Sequence, residues 1–139
     1  CPYAIDAEDR LIALQEKFAD ENVAVIAINV NKVEEDLMPA MKQRAEEKKF
    51  NFPYLFDESQ QIAKAFGAKY TPEFFVLDKN RKIVYMGSLD DSPDGKNVSE
   101  PHVIRAIEAA LAGEKPAVTE TVPIGCRIRF ERNLRNRSR

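Results

Sequence analysis

The chain has only two cysteines and one histidine in 139 residues, and no apolar run long enough to cross a bilayer. Two cysteines are too few for a disulfide scaffold. One histidine, with no cysteine pair at ligand spacing, argues against a zinc site, and neither a metal nor an organic cofactor is expected. The first residues show no basic start followed by an apolar stretch, so they carry no signal-peptide pattern. No segment repeats. A net positive balance is confined to one place. Residues 127–139 hold six Arg against one Glu, which leaves −7 for residues 1–126 within a net charge of −2. So acidic a body is a poor nucleic-acid binder, and no nucleic-acid partner is expected. The basic tail could meet an acidic surface or nucleic acid, but a solvated end is the simpler expectation, with its first part ordered as a strand through Ile128 and Phe130.

The chain as a whole is 44% hydrophobic and 32% charged, the mix of an ordinary globular domain. Ala4, Ala7, Leu11, Leu14 and Phe18 recur at helical steps and predict a helix over 2–20, with Pro2 in its first turn. The continuous run Val23–Val30 predicts a parallel strand buried on both faces. A helix follows over 33–48, kinked at Pro39 or effectively beginning near it. Residues 52–55 read as a short strand, and 58–66 as a helix that Gly67 ends. Strands at 73–77 and 82–86, joined by the polar link 78–81, predict an antiparallel hairpin. A polar loop at 88–100 precedes a last helix over 101–112. Asp90, Asp91 and Asp94 in that loop only faintly echo a calcium loop, and a solvated turn is expected. His102 is expected at the surface. Alternating helices and strands closed by a hairpin and a helix imply an α/β fold on a mixed sheet. The expected division is a domain over 1–114 and an extension over 115–139.

A strand such as 23–30 needs partners on both edges, and the first helix needs a strand to feed it. The natural protein is therefore expected to be longer, with its first strands before residue 1. A mature, lipid-modified Cys1 is the alternative.

The chemistry centres on Cys1-Pro2-Tyr3-Ala4. A cysteine at a helix start is held as thiolate by free N–H groups and the helix dipole. A thiolate attacks disulfides or peroxides. A buried, inert cysteine is the alternative.

These four residues resemble the Cys-x-x-Cys of thioredoxins with Ala4 in the second cysteine's place. The stretch Phe66–Asp78, with Thr71-Pro72 inside it, resembles the thioredoxin and redoxin segment that holds a cis-proline. Lys82–Gly87 resembles the strand that follows. The ending Gly125-Cys126-Arg127-Ile128-Arg129-Phe130 is similar to that of a peroxiredoxin-like branch of the redoxins, related to AhpC/TSA proteins, which keeps the first cysteine of the pair. The resemblance implies a thioredoxin-like three-layer α/β/α sandwich. It implies a cis Thr71–Pro72 bond opposite Cys1, with Pro2, Tyr3, Thr71 and Pro72 shaping the substrate groove. An ordinary trans proline opening a strand is the alternative. Cys1 is the expected nucleophile, and Cys126 is expected to fold back and pair with it, the rival being an idle thiol. The implied activity is thiol–disulfide exchange. The implied partners are a reducing thiol or thioredoxin-type protein and a client protein disulfide or hydroperoxide. A thiol peroxidase and a non-catalytic binding module are the other readings. The Ser/Thr-x-x-Cys pattern of a peroxiredoxin is not met, since Ala4 stands at its cysteine position. Two cysteines fit either a reducing cytosol or an exported redox protein.

Overall fold

The computed structural model describes residues 2–30, 38–92, 94–128 and 130. They divide into two compact units. One contains residues up to Val25 together with Lys69–Arg127, and the other Ile26–Ala68 and the residues from Ile128 onward.

The first unit is built on helix α1, Pro2–Lys17. Ala7, Leu14 and Phe18 are buried along one stripe, with Leu11 packed beside them. That stripe meets a hairpin of β4 (Phe74–Leu77) and β5 (Ile83–Gly87) and a helix α4 (His102–Leu111). Val76 and Tyr85 from the hairpin and Val103, Ala106 and Ile107 from α4 complete the core. The hairpin is antiparallel, pairing Phe74 with Gly87 and Val76 with Tyr85. Its turn is held by Asp78, whose Oδ1 accepts from the N–H groups of Asn80 and Lys82 at 2.8 and 3.0 Å. Such an Asx turn is why a four-residue polar link is enough.

Past α4 the chain returns to β5. The Met86 N–H donates to Thr119 O and the Thr121 N–H to Met86 O. Thr121 Oγ1 then joins a buried knot: it lies 2.7 Å from the hydroxyl of Tyr85, which is fully buried, and accepts from the Ser88 N–H at 2.9 Å. The Tyr85 hydroxyl donates to Ser88 O at 2.5 Å. Burial pushes the Tyr85 hydroxyl's pKa up, with the bonds to Thr121 and Ser88 opposing. His102 stacks on the Tyr85 ring at 6.2 Å and is half-buried, not the surface residue expected. Two short strands finish the unit. β3 (Tyr70–Thr71) pairs antiparallel with β6 (Cys126–Arg127).

The second unit pairs β1 (Ala27–Asn29) in parallel with β2 (Tyr54–Phe56). Helix α2, described from Met38 to Lys48, has Pro39 in its first turn, where a missing N–H is harmless. The expected start at residue 33 lies outside the described residues. Helix α3 is Gln61–Phe66, shorter than expected at its start. Asp57 Oδ2 accepts from the Ala63 N–H at 3.1 Å, and the buried Gln60 side chain donates to Val30 O at 2.7 Å. Gly67 ends α3 with Ala68, whose N–H reaches back to Ala63 O. Ile128 is buried with Val30 and Ala63.

Three expectations need correction here. The strand read over 23–30 spans only Ala27–Asn29. The cause is Gln15, whose amide donates to Val23 O at 3.1 Å and accepts from the Val25 N–H at 2.8 Å, so a side chain takes the bonds a neighbouring strand would. Nor is this strand buried on both faces. Ile26 is 56% exposed, and Ile28 and its register partner Leu55 are 37% and 50% exposed, while Val30 is buried. A continuous apolar run carries no alternation from which to read a half-exposed strand. The strand expected through Ile128 and Phe130 likewise ends at Arg127. No helix among the described residues is long and apolar enough to cross a membrane.

Candidate active site

Cys1 lies outside the described residues, as do the side chains of Pro2 and Tyr3. Their backbone forms the first turn of α1, which holds no acidic residue. The positive end of that helix dipole is thus not offset by a carboxylate of its own first turn.

The Thr71–Pro72 peptide bond is cis. Both residues are half-buried, and they join β3 to β4. Across from them runs β6, with Thr71 in register with Cys126 and Tyr70 with Arg127. Cys126 is half-buried and disulfide-bonded, and no free thiol stands among the described residues. Gly125 makes this approach feasible. A Cβ there would lie 2.3 Å from Thr71 O and 3.0 Å from Pro72 N. Both are backbone atoms that cannot rotate away, so any side chain at 125 forces the two segments apart. Of the expected site residues, the structure therefore brings Thr71, Pro72 and Cys126 together.

Around this crossing lie groups the sequence did not connect with one another. Ala7, Arg10, Pro72, Phe74, Asp90 and Ile124 line a shallow cleft. Arg10 Nη1 donates to Asp90 Oδ2 at 2.5 Å and to Ser92 O at 3.0 Å. Asp90 is 6% exposed and also accepts from the Ser92 N–H at 2.9 Å, so the start of the loop is packed in, while Asp91 and Asp94 stand exposed as a solvated turn would have them. Eighty residues separate Arg10 from Asp90, and no local pattern announces such a pair.

Asp91 holds the other half of this loop. Its carboxylate accepts from the Ser99 hydroxyl and from the backbone N–H groups of Ser99 and Glu100, the last two at 2.9 Å. These bonds, the Ser99 hydroxyl foremost, lower its pKa from 3.8 to about 2. A carboxyl with a depressed folded pKa stabilises the fold above its unfolded pKa, and that stability is lost as pH falls through the folded value. The thermal midpoint of the protein is therefore expected to drop between pH 3.8 and about 2 more steeply than that of an Asp91→Asn chain, the two converging at the acid end. Parallel acid limbs in a calorimetric series would remove Asp91 from the account.

Glu73 follows the cis-proline directly. Its Oε2 is buried and has no hydrogen-bond partner. Desolvation raises its pKa above 4.5, although the Lys69 backbone N–H and charge oppose this. A raised carboxyl keeps its proton in the fold after the unfolded chain has lost it, so stability falls as pH rises above 4.5. Glu73→Gln is expected to stabilise at neutral pH and to have no effect near pH 4, read from urea midpoints. The only sequence signal for Glu73 was its place after Pro72. That for Gly125 was clearer, a glycine immediately before a cysteine. Among the described residues, no group of three or more His, Cys, Asp or Glu is placed to share a metal ion.

Comparison with known proteins agrees with this architecture. A solved structure of a hypothetical protein from Sinorhizobium meliloti 1021 is 34% identical, with a TM-score of 0.87, over 96% of this chain and 75% of that one. An uncharacterized conserved protein from Geobacillus kaustophilus is 36% identical, also at 0.87, over 96% and 73%. The solution structure of a thioredoxin-like protein in the oxidized form shares the fold at 22% identity and a TM-score of 0.67, over 82% and 72%. No curated protein matches the chain. The AhpC/TSA family pattern covers residues 1–86, from Cys1 through the hairpin. With its thioredoxin-like α/β fold, the chain belongs to the AhpC/TSA family.

Proposed function

We propose that this redoxin-type protein is a thiol–disulfide oxidoreductase with Cys1 as attacking thiolate and Cys126 as resolving thiol. Residues 1–114 supply the nucleophile and the groove of Pro2, Tyr3, Thr71 and Pro72. Residues 115–139 supply the second sulfur. The observation that carries this is Cys126 itself, disulfide-bonded beside Thr71 in a chain with one other cysteine. Further support comes from the sequence placing Cys1 immediately before the first turn of a helix, where a thiolate is favoured.

The chemistry balances without a cofactor. The Cys1 thiolate attacks one sulfur of a client disulfide, and the other client sulfur leaves as thiolate and takes a proton from solvent. Cys126, deprotonated, then attacks the Cys1 sulfur and expels the client's second thiolate. The client has gained two electrons and two protons, and the protein holds a Cys1–Cys126 disulfide. An external thiol or thioredoxin-type protein returns the electrons by the same two exchanges.

The test is turnover by the reduced full-length chain, supplied with a thioredoxin-type reductant and offered either a protein disulfide or a hydroperoxide. Catalysed reduction of the protein disulfide is expected. Turnover of the hydroperoxide alone would make the protein a thiol peroxidase. Turnover of neither would overturn the oxidoreductase assignment and leave a binding module.

A further inference from the structure

We propose that Ile124-Gly125-Cys126-Arg127 is the chain's own occupant of the client position, and that the site selects extended client segments with glycine immediately before the reactive cysteine. This rests on the thiol–disulfide assignment above and adds the substrate class.

A mixed disulfide has the same stereochemistry as an internal one: the two Cβ atoms must come within about 3.5–4.5 Å. A client cysteine bonded to Cys1 must therefore place its Cα close to where Cys126 has its own when the two protein sulfurs are joined. The client backbone on either side then follows the path of residues 125–127. That path is an edge-strand site. Tyr70 and Thr71 pair with β6 over only two residues, through main-chain groups that any extended peptide offers. So short a ladder is readily exchanged for an equivalent one.

Selection enters through the neighbours of the cysteine. The preceding position passes so close to Thr71 O that a Cβ would lie at 2.3 Å, and only glycine fits without displacing backbone. One position earlier, Ile124 lines the cleft with Ala7, Pro72 and Phe74, a place for an apolar side chain. After the cysteine, Arg127 is exposed, and that position is free to vary. The preferred client segment reads apolar–Gly–Cys–any. A client enters by displacing the resident segment and leaves as Cys126 returns.

The experiment uses the reduced Cys126→Ser chain, in which a captured peptide stays on Cys1 and is located by mass. Two peptides, Ile-Gly-Cys-Arg and Ile-Val-Cys-Arg, are prepared as mixed disulfides with thionitrobenzoate. Attack of Cys1 on the peptide sulfur breaks the S–S bond and releases the coloured thionitrobenzoate anion. Each rate is divided by that peptide's rate with a free small thiol, which removes the intrinsic effect of the valine. The glycine peptide is expected to react at least about tenfold faster. The symmetric small disulfide of thionitrobenzoate is the control. Its reaction at Cys1 with equal normalised peptide rates would overturn the selection alone. No reaction of Cys1 with any of the three probes would overturn the thiol assignment, and the selection with it.

Discussion

A Cys1→Ser chain is expected to lose protein-disulfide turnover by at least about a thousandfold, because a serine hydroxyl at its ordinary pKa is a poor nucleophile and no base stands in the proposed cycle to activate it. Cys126→Ser is expected to behave differently. The first exchange survives, so the client is captured on Cys1 as a mixed disulfide, and only resolution fails unless an external thiol replaces Cys126. Steady-state rates alone would not separate the two variants when the external thiol is scarce. Trapping does: mass mapping after a single mixing with client should find the adduct on Cys1 in the Cys126→Ser chain and none in the Cys1→Ser chain. An adduct on Cys126 in the Cys1→Ser chain, with turnover preserved, would exchange the two roles. Client binding that survives in both, with no exchange in the unmodified protein, would leave the fold as a docking module.

The sequence made the order of elements legible wherever local chemistry decides local structure. Pro39 marks the described beginning of α2, Gly67 the end of α3, and the Asp78 turn the hairpin, because each acts on backbone only a few residues away. What stayed hidden depends on groups distant in the chain. Gln15 shortens β1 by bonding Val23 and Val25. Arg10 fixes the start of a polar loop, where Asp90 and Ser92 are buried, by reaching both. Tyr85 reads as an ordinary strand aromatic until Thr121, 36 residues on, completes its hydrogen bonds. The site shows the same division. Cys126 and Pro72 were singled out by residue type and motif, and the Thr71–Cys126 register came only from the fold. The exposure of Ile26, Ile28 and Leu55 was unreadable for a related reason: an apolar run states which residues prefer burial, not whether another layer is there to bury them.

Gly87→Ala is expected to show how the extension serves the site. Gly87 has φ of 144°, and a Cβ there would lie 2.2 Å from Thr121 Oγ1 and 2.5 Å from Thr121 O. The alanine both strains the backbone and pushes the segment 119–121 off β5, exposing the Tyr85 hydroxyl and Ser88 N–H to the loss of Thr121. Strain and unmade buried hydrogen bonds together are expected to cost about 3 kcal/mol in urea unfolding. Phe18→Ala is the matched control. It empties a buried position, 2% exposed, at a cost of about 3–5 kcal/mol, in a core whose described members include no residue of the extension. If the bonds at Thr119 and Thr121 seat Cys126, the two variants part company in redox equilibrium. At a fixed dithiol ratio and a temperature where both are folded, Gly87→Ala should be reduced at least about tenfold more readily, since a loosened segment has a lower effective concentration at Cys1. Phe18→Ala should titrate like the unmodified chain. Equal midpoints for Gly87→Ala and the unmodified protein would show that Cys126 is seated by β3 alone, through Gly125 and the Thr71 register.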